Sequence, residues 1–322
     1  MIALGSPSTV ARIVAELAGH QLTCFQMDLY QSDRLKNLLA ERGLRADVVT
    51  AADLWSLNTP AATVIYPVAE KGERELKLDM VEQSFHVLRD GGLFVVSSPY
   101  ERDLLFPRSL KKVFGRSHTV DESAEQIFWS RRQGDRPRRR HEVTFQVRTN
   151  EGESLHFLSR PGVFSYGRFD HGARALVETM TIQPGERTLD VGCGCGSNGT
   201  IAGLRSGTEA SVIFVDSNLR ALELAEHNAR ENGLVNVAVV ATHEVDVPAG
   251  SFDVALANPP YFAGHSIARL FVEKSAAALR RGGRFYMVTK QPNQVGPFVK
   301  ESFGGYELVA RRGYTVLCAT RA

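Results

Sequence analysis

Two stretches of this chain match two later stretches without a gap. Residues 81–84 (VEQS) match residues 272–275 (VEKS), and residues 88–94 (LRDGGLF) match residues 279–285 (LRRGGRF) at the same separation. Each matching region consists of an amphipathic helix pattern, a pair of glycines and an apolar run. Unrelated α/β domains share helix ends, glycine turns and strands and could resemble each other by chance. Gapless agreement across a helix and the following strand nevertheless indicates a duplicated domain.

Both halves of the chain alternate helical patterns with short apolar runs of strand length. In the first half, helical patterns over residues 9–18, 32–42 and 79–88 alternate with strand patterns over 21–27, 48–50, 62–66 and 93–97. In the second half, strand patterns cover 188–191, 211–215, 235–241, 252–257, 284–289, 306–310 and 314–320, and helical patterns cover 170–180, 218–232 and 266–281. The sequence therefore predicts an α/β fold with two Rossmann-like domains, each with a mostly parallel sheet.

A basic stretch separates the two series. Residues 130–141 are rich in arginine and are flanked by alternating runs at 126–130 and 143–147. This pattern predicts an antiparallel hairpin or linker with a basic tip, and gives domains of 1–125, 126–155 and 156–322. A solvated loop and a phosphate-binding surface are both compatible with such a charge run. The candidates for phosphate contact are Arg131, Arg132, Arg138, Arg139 and Arg140.

Composition excludes several classes of protein. The formal net charge is only +2, so contact with a polyanion would have to come from local patches. The four cysteines show no zinc spacing, which predicts reduced thiols and no bound metal. The chain contains no long apolar run and no signal pattern at its N-terminus, and we therefore expect a cytoplasmic protein.

A glycine loop and an aspartate follow two strands of the second half that are successive in the sequence. Gly192, Gly194 and Gly196 come directly after the strand at 188–191, where they would let the backbone pass close to a ligand. Such a loop alone is weak evidence, because dinucleotide enzymes share it and a tight turn also explains it. Asp216 ends the next strand, in a place suited to accepting the hydroxyl groups of a ribose.

The strand at 252–257 ends in Asn258-Pro259-Pro260-Tyr261. The two prolines fix φ and provide no N–H, so this turn is stiff and its carbonyls lack local donors. Asn258 and the Pro259 carbonyl could accept N–H bonds from an amino group on a flat ring that Tyr261 stacks against. A strand-ending turn with a core aromatic explains the isolated motif about equally well, and the glycine loop with Asp216 favours the functional interpretation.

The first copy lacks both features. It has Leu4-Gly5-Ser6-Pro7-Ser8 where the second copy has its glycine loop, and Tyr66-Pro67-Val68-Ala69 where the second has its amide and prolines. We interpret the first domain as a degenerate copy that does not catalyse a reaction.

The motifs of the second half resemble those of a known family. They are residues 160–165 (RPGVFS) with 170–172 (DHG), 189–196 (LDVGCGCG), 258–261 (NPPY) and 279–285 (LRRGGRF). This half resembles class I S-adenosylmethionine-dependent methyltransferases of the small-methyltransferase type. The whole chain is similar to the ribosomal RNA guanine-N2 methyltransferases of the RsmC/RlmG group, which pair a degenerate N-terminal domain with an active C-terminal one. The resemblance covers nearly all of 156–320, and the first half only as architecture.

The resemblance implies a role for each matching residue. The methionine side of an S-adenosylmethionine pocket would be formed by Asp190, Gly192, Cys193, Gly194 and Gly196, with Asp216 and Ser217 at the ribose. His243 stands where the family usually has Asp or Asn against the adenine, which is a departure from the pattern, and either His243 or Glu244 after it could supply the adenine contact. Asn258 would border the cofactor as well, Asn258 and Pro259 would accept the target N–H bonds, Pro260 would stiffen the turn, and Tyr261 would stack the base. Independently of the resemblance, Lys290 follows the strand at 284–289 and could reach the mouth of the site, although a solvated lysine is the default interpretation.

The implied reaction is methyl transfer to the exocyclic amino group of a base in RNA, in particular N2 of a guanine in ribosomal RNA. The partners would be ribosomal RNA or a ribosomal subunit, bound by a monomer. N6-adenine methyltransferases and N5-glutamine methyltransferases share the Asn-Pro-Pro-Tyr turn and remain alternatives. A non-catalytic RNA-binding assembly factor is a third. A nicotinamide dehydrogenase is disfavoured because no acid or base for hydride transfer is evident near the loop.

Overall fold

The structure is a computed structural model that describes residues 1–120, 126–152, 154–207, 209–260 and 265–322. The chain forms two compact units, Met1–His141 and Glu142–Ala322. Within the described residues, no helix combines the length and apolar character needed to span a membrane.

The first unit is built on a seven-stranded sheet in the order β3-β2-β1-β4-β5-β7-β6. Its strands are β1 (Ile2–Ala3), β2 (Thr23–Gln26), β3 (Asp47–Thr50), β4 (Ala61–Pro67), β5 (Leu88–Ser98), β6 (His118–Val120) and β7 (Gln126–Arg131). Strands β1 to β5 are parallel, whereas β7 is antiparallel to both of its neighbours. The helices are α1 (Pro7–Glu16), α2 (Leu29–Glu41), α3 (Arg74–Val87) and α4 (Leu105–Phe114).

The second unit repeats this topology with a sheet in the order β12-β11-β10-β13-β14-β16-β15. Its strands are β10 (Thr188–Val191), β11 (Val212–Asp216), β12 (Val237–Ala241), β13 (Phe252–Ala257), β14 (Leu279–Thr289), β15 (Glu307–Arg311) and β16 (Tyr314–Thr320). The helices are α5 (His171–Val177), α6 (Ser197–Ser206), α7 (Leu219–Glu231), α8 (His265–Ala278) and α9 (Pro292–Phe303). Strand for strand, the order and direction match those of the first sheet, which confirms the prediction of two domains of one α/β type.

The core of the second unit has two halves, one on each face of the sheet. Alternate residues of β13 and β14 enter different clusters: Ala255 and Phe285 pack with Val272 of α8, whereas Leu256 and Tyr286 pack on the opposite face with residues of α5, α6 and α7. This alternation follows from the two-residue period of a strand. Both faces of the central strands are covered, so only their ends are open to a ligand.

The predicted hairpin between residues 126–130 and 143–147 is wrong. The first run is β7, which pairs with β5 and β6 in the first sheet. The second is β8 (Val143–Arg148), which pairs with β9 (Ser154–Ser159) in a separate two-stranded sheet. Alternation predicts a strand but not its partner, and each run pairs within its own unit. The unit boundary, between His141 and Glu142, therefore falls inside the predicted linker.

Candidate active site

Three of the predicted site residues lie at the carboxyl ends of three adjacent strands of the second sheet. Val191, the last residue of β10, is in register with Val215 of β11 on one side and Ala257 of β13 on the other. The next residues along the three strands are Gly192, Asp216 and Asn258. Since all three strands are parallel, these residues lie side by side at the edge where open α/β sheets bind ligands.

The glycine loop is folded back onto β11. The N–H groups of Gly192 and Cys193 donate to the Val215 carbonyl at 2.8 and 3.0 Å. The Gly194 N–H donates to Asp216 Oδ2 at 3.0 Å. Gly192, Gly194 and Gly196 have φ of +67°, +55° and +79°, a region that favours glycine.

The three glycines face different surroundings. A Cβ at Gly192 would lie 2.7 Å from the Phe271 ring, and one at Gly196 would lie 2.7 Å from the Ala225 Cα. A Cβ at Gly194 would meet no atom within 4 Å in the part of the chain that the structure describes. The outer two glycines therefore allow close packing, whereas the middle one borders open space that a ligand could fill.

Asp190 supports the loop from below. Its side chain is 2% exposed, and its Oδ2 accepts a hydrogen bond of 2.8 Å from the N–H of Gly199 in the first turn of α6. Burial raises the pKa of the Asp190 carboxyl to about 7, and the nearby charge of Asp216 acts in the same direction. Asp190 therefore fixes the start of α6 under the loop.

The raised pKa of Asp190 makes a prediction about stability. An unfolded Asp loses its proton near pH 4, whereas folded Asp190 keeps it to about pH 7. Between these limits the native state binds the extra proton, so the free energy of unfolding falls as the pH rises, by up to about 4 kcal/mol. Asp190→Asn should remove this fall while retaining the bond from Gly199. Urea unfolding at pH 5 and pH 8 should thus favour the variant increasingly at the higher pH, and an identical pH dependence would contradict the expectation.

Cys193 and Cys195 lie in the loop but are poor nucleophiles. Both are buried, and burial raises the pKa of the Cys193 thiol well above its ordinary value and that of Cys195 to about 11. The reactive form of cysteine is the thiolate, and both thiols are therefore protonated at neutral pH. Their small size suits a tightly folded loop.

Asp216 is held at the start of α7. Its Oδ1 accepts from the Asn218 N–H at 2.9 Å, in addition to the bond from Gly194 at Oδ2. Asn218 caps α7 and donates through Nδ2 to the Gly162 carbonyl at 2.8 Å. The carboxylate has a fixed direction at the end of β11, next to Ser217, and its several lone pairs can also serve a ligand hydroxyl.

Asn258 lies on the other side of the loop. Its Nδ2 donates to Asp170 Oδ2 at 3.2 Å, and Asp170 also caps α5 by accepting from the Ala173 N–H at 2.9 Å. Pro259 is buried and Pro260 is exposed. Tyr261 belongs to residues 261–264, outside the described residues, and its predicted stacking role stays a prediction.

His243 and Lys290 follow the ends of two further strands of the same sheet. His243 is half-buried in the loop after β12, two residues before Val245, which is buried and has a φ of +52°. A β-branched residue rarely adopts this backbone conformation. Lys290 follows β14, and its Nζ lies 4.7 Å from the centre of the Tyr314 ring.

The predicted phosphate-binding arginines belong to the first unit. Arg131 and Arg132 donate to the carbonyls of Gly91 and Leu88. Arg138 and Arg140 lie 5.6 and 5.9 Å from the centre of the Trp55 ring, and Arg139 is exposed. These contacts fix part of the basic stretch on its own unit, whereas all the other predicted site residues lie in the second unit.

One segment joins the two sides of the site, and its motifs at residues 160–165 and 170–172 did not reveal that role in the sequence. Pro161 accepts a hydrogen bond from Arg220 in the first turn of α7, and Gly162 accepts one from Asn218, the cap of that helix. Asp170 contacts Asn258 at the end of β13. Between these anchors, Phe164 is 55% exposed. The sequence predicts Asp170 as a helix cap, but no signal in it pairs the cap with Asn258.

Open space and polar groups lie next to each other at the glycine loop. Open space borders Gly194, and Asp216 presents a carboxylate beside it. The Asn198 Oδ1 at the start of α6 is buried and accepts no hydrogen bond from the described residues. A group of three or more His, Cys, Asp or Glu able to hold a metal is absent from these residues too.

Comparison with known proteins places the second unit in a family. The sequence profile described as "Methyltransferase small domain" matches residues 154–318. An uncharacterized protein of Bacillus subtilis, YbxB, is 33% identical over 174 residues, which cover 51% of this chain and 85% of that protein.

Other relatives match over a smaller share of their length. The ribosomal RNA small subunit methyltransferase C of Pseudomonas entomophila is 30% identical over 182 residues, 55% of this chain and 54% of that protein. The chain thus spans about half the length of the curated methyltransferase C relatives that it matches.

A solved structure resembles the entire fold. It is a T. thermophilus 16S rRNA N2 methyltransferase (RsmC) in complex with AdoMet and guanosine, with a TM-score of 0.77 at 20% identity. The superposition covers 100% of this chain and 88% of that one. At this identity the likeness establishes the two-domain fold.

Proposed function

The chain belongs to the methyltransferase small domain family, and on that premise we propose that it methylates the N2 amino group of a guanine in ribosomal RNA, with S-adenosylmethionine as donor. The observation that carries this proposal is the register of β10 with β11 and β13, which aligns the glycine loop, Asp216 and Asn258. Asp216, on one side of the loop, can accept from the ribose of a methyl donor. Asn258, on the other side, can accept from an aromatic amine, so that the two ligands would face each other.

The residues of the loop would bind the cofactor. Asp216 accepts the ribose hydroxyls, the space beside Gly194 receives the methionine part, and Asn198 Oδ1 can accept from its ammonium group. His243 or the backbone after it borders the adenine, in the place where related enzymes use Asp or Asn. S-adenosylmethionine supplies a methyl group that its sulfonium already activates.

The protein's task is then to align the nucleophile. The lone pair of an aromatic amine is delocalised into its ring. When Asn258 Oδ1 and the Pro259 carbonyl accept hydrogen bonds from its two N–H groups, the nitrogen becomes more tetrahedral and its lone pair is available for an in-line displacement. The carbonyl dipoles stabilise the positive charge that develops on the nitrogen. Water takes the proton once the carbon–nitrogen bond has formed and the carbon–sulfur bond has broken.

The first unit would bind RNA without binding the cofactor. Its α1 begins with Pro7, which lacks an N–H, directly after the capping residue Ser6. Asp28, which corresponds to Asp216 in the repeat, caps α2 by accepting from the Gln31 N–H. The positions that would bind a ligand in the second unit therefore cap or begin helices in the first unit. A protein that acts on ribosomal RNA in this way would work in the cytoplasm.

The basic stretch of the first unit gives a testable part of this proposal. Replacement of Arg138, Arg139 and Arg140 with Ala should weaken RNA binding and make the negative slope of log affinity against log salt shallower by about 2. The matched control is Arg12, Arg42 and Arg45 to Ala, because these arginines are exposed in the same unit and carry the same total charge. Filter binding of ribosomal RNA over a salt series measures both. An equal loss in the two triple variants would mean that only the net charge matters.

The reaction itself is tested by transfer of tritiated methyl from S-adenosylmethionine. Deproteinised ribosomal RNA and intact ribosomal subunits serve as substrates, and nucleoside analysis identifies the product. N2-methylguanosine supports the proposal. N6-methyladenosine would mean that the same mechanism acts on adenine instead of guanine. Label in a protein glutamine would mean that the substrate is a protein and not RNA.

A further inference from the structure

Asp170 contacts the one side chain that the proposed reaction needs as an acceptor. Its Oδ2 accepts a hydrogen bond of 3.2 Å from the Nδ2 of Asn258, which lies 88 positions later in the chain. We propose that Asp170 is a positioning residue that determines which way the Asn258 amide faces. This proposal rests on the proposed function, and it assigns Asp170 a task beyond capping α5.

The chemistry of the two groups decides the orientation. A carboxylate only accepts hydrogen bonds, whereas an amide has an accepting oxygen on one side and a donating nitrogen on the other. Rotating the Asn258 amide by half a turn would place Oδ1 against Asp170 Oδ2, so that two acceptors would face each other. The same rotation would present the amide nitrogen to the target amine, where two donors would meet. One contact therefore distinguishes an accepting Asn258 from a donating one.

Asp170 is itself held on both sides. Its Oδ2 also accepts from the Ala173 N–H at 2.9 Å in the first turn of α5, a helix whose Ala175 and Leu176 are fully buried. On the other side, the segment that leads to Asp170 is bonded at Gly162 to Asn218. A site residue positioned by a rigid supporting group keeps its geometry without reorganising during the reaction. Asp170 provides that support for Asn258.

Two substitutions separate capping from orientation. Ser is as good a helix cap as Asp, so it can still accept from the Ala173 N–H. Its side chain is too short to contact Asn258 at the same time. Asp170→Ser should therefore keep the affinity for S-adenosylmethionine and the unfolding midpoint while kcat falls by about 10- to 100-fold. In Asp170→Asn, the amide oxygen can take the place of Oδ2 and accept both bonds, and we expect most of the lost kcat to be recovered.

A control and an independent measurement complete the test. Asp28→Ser replaces the cap of α2 in the first unit and should leave kcat unchanged, because Asp28 lies in the other unit. The side-chain amide resonances of Asn258, identified by their loss in Asn258→Ala, should shift in Asp170→Ser and return in Asp170→Asn. This measurement needs no RNA, so it tests the orientation even if the wild-type protein methylates no ribosomal RNA.

The outcomes keep the two proposals apart. Full kcat in Asp170→Ser, or unshifted Asn258 resonances, would overturn the positioning role and leave the proposed reaction standing. Equal losses in Asp170→Ser and Asp170→Asn would also overturn it, since the negative charge rather than the amide orientation would then matter. A wild-type protein that transfers no methyl group to RNA would overturn the proposed function alone, and the resonances would still decide the positioning role.

Discussion

Asn258→Ala should lower kcat for methyl transfer to RNA by about 10³-fold, the scale reached when one preorganised polar group is removed from an active site. The variant loses one of the two acceptors that orient the target amine and stabilise its developing charge. Its affinity for S-adenosylmethionine should change little, because the glycine loop is anchored by its own bonds to the Val215 carbonyl and to Asp216. Single-turnover methyl transfer and calorimetric titration of the cofactor measure the two effects separately.

The matched control for this variant is Asn236→Ala. Asn236 is an exposed asparagine of the same unit, with one side-chain bond, to the Glu209 carbonyl, and its replacement should leave kcat unchanged. A normal rate in Asn258→Ala would show that another group accepts the hydrogen bond from the target amine. A parallel loss of rate and cofactor affinity would instead make Asn258 a cofactor-binding residue.

Much of the candidate site can be predicted because strand ends are visible in the sequence. Gly192, Asp216 and Asn258 each follow an apolar run, and parallel strands bring their carboxyl ends to one edge. The sequence does not show which strands are adjacent in the sheet. The chain crosses over so that β10 lies between β11 and β13, although it precedes both in the sequence. The residues therefore indicate the chemistry, and the fold supplies the distances.

Other features could not be predicted, for identifiable physical reasons. Helix α6 contains two glycines, and α9 contains Gly296 and Pro297, so local propensity opposes both helices and tertiary packing decides. Strand β7 reads as a hairpin partner of β8, yet it pairs with β5. The contact of Asp170 with Asn258 depends on where two distant turns meet, and one sequence alone does not show that.

The two units show how one topology supports different tasks. Their sheets have the same strand order, and the turns after the strands differ at the positions of the candidate site. In the first unit a Cβ at Gly5 would lie 3.0 Å from the Pro67 carbonyl, so the chain itself fills this space. In the second unit the space beside Gly194 contains no described atom within 4 Å of a Cβ. The fold provides the edge, and the turns decide whether a ligand can enter.

This contrast leads to a second large effect, which distinguishes two glycines of one loop. Gly194 and Gly196 both have positive φ, so Ala at either position costs about 1–2 kcal/mol of conformational energy. At Gly196 the new methyl group would also lie 2.7 Å from the Ala225 Cα and 2.8 Å from its Cβ, on the buried face of α7. Overpacking adds about 1–3 kcal/mol, and we expect Gly196→Ala to destabilise the second unit by about 3 kcal/mol in total.

Gly194→Ala should have the opposite profile. Its methyl group meets no described atom and points into the space proposed for the cofactor, so the unit should fold with a small loss of stability. The affinity for S-adenosylmethionine should fall by about tenfold or more, equivalent to about 1.4 kcal/mol. Circular dichroism is the suitable probe of unfolding, because Trp55 and Trp129 both lie in the first unit and their fluorescence would not report on the second.

The pair of variants decides whether the loop binds the cofactor as proposed. Full cofactor affinity in Gly194→Ala would mean that the ligand passes on another side of the loop, and the role of Asp216 would have to be reconsidered with it. Equal stability of the two variants would show that α7 shifts to admit the methyl group at Gly196. A stable Gly194→Ala that binds cofactor poorly, beside an unstable Gly196→Ala, would mean that neighbouring glycines serve separate purposes: one makes room for a ligand, and the other lets a helix pack against the loop that holds it.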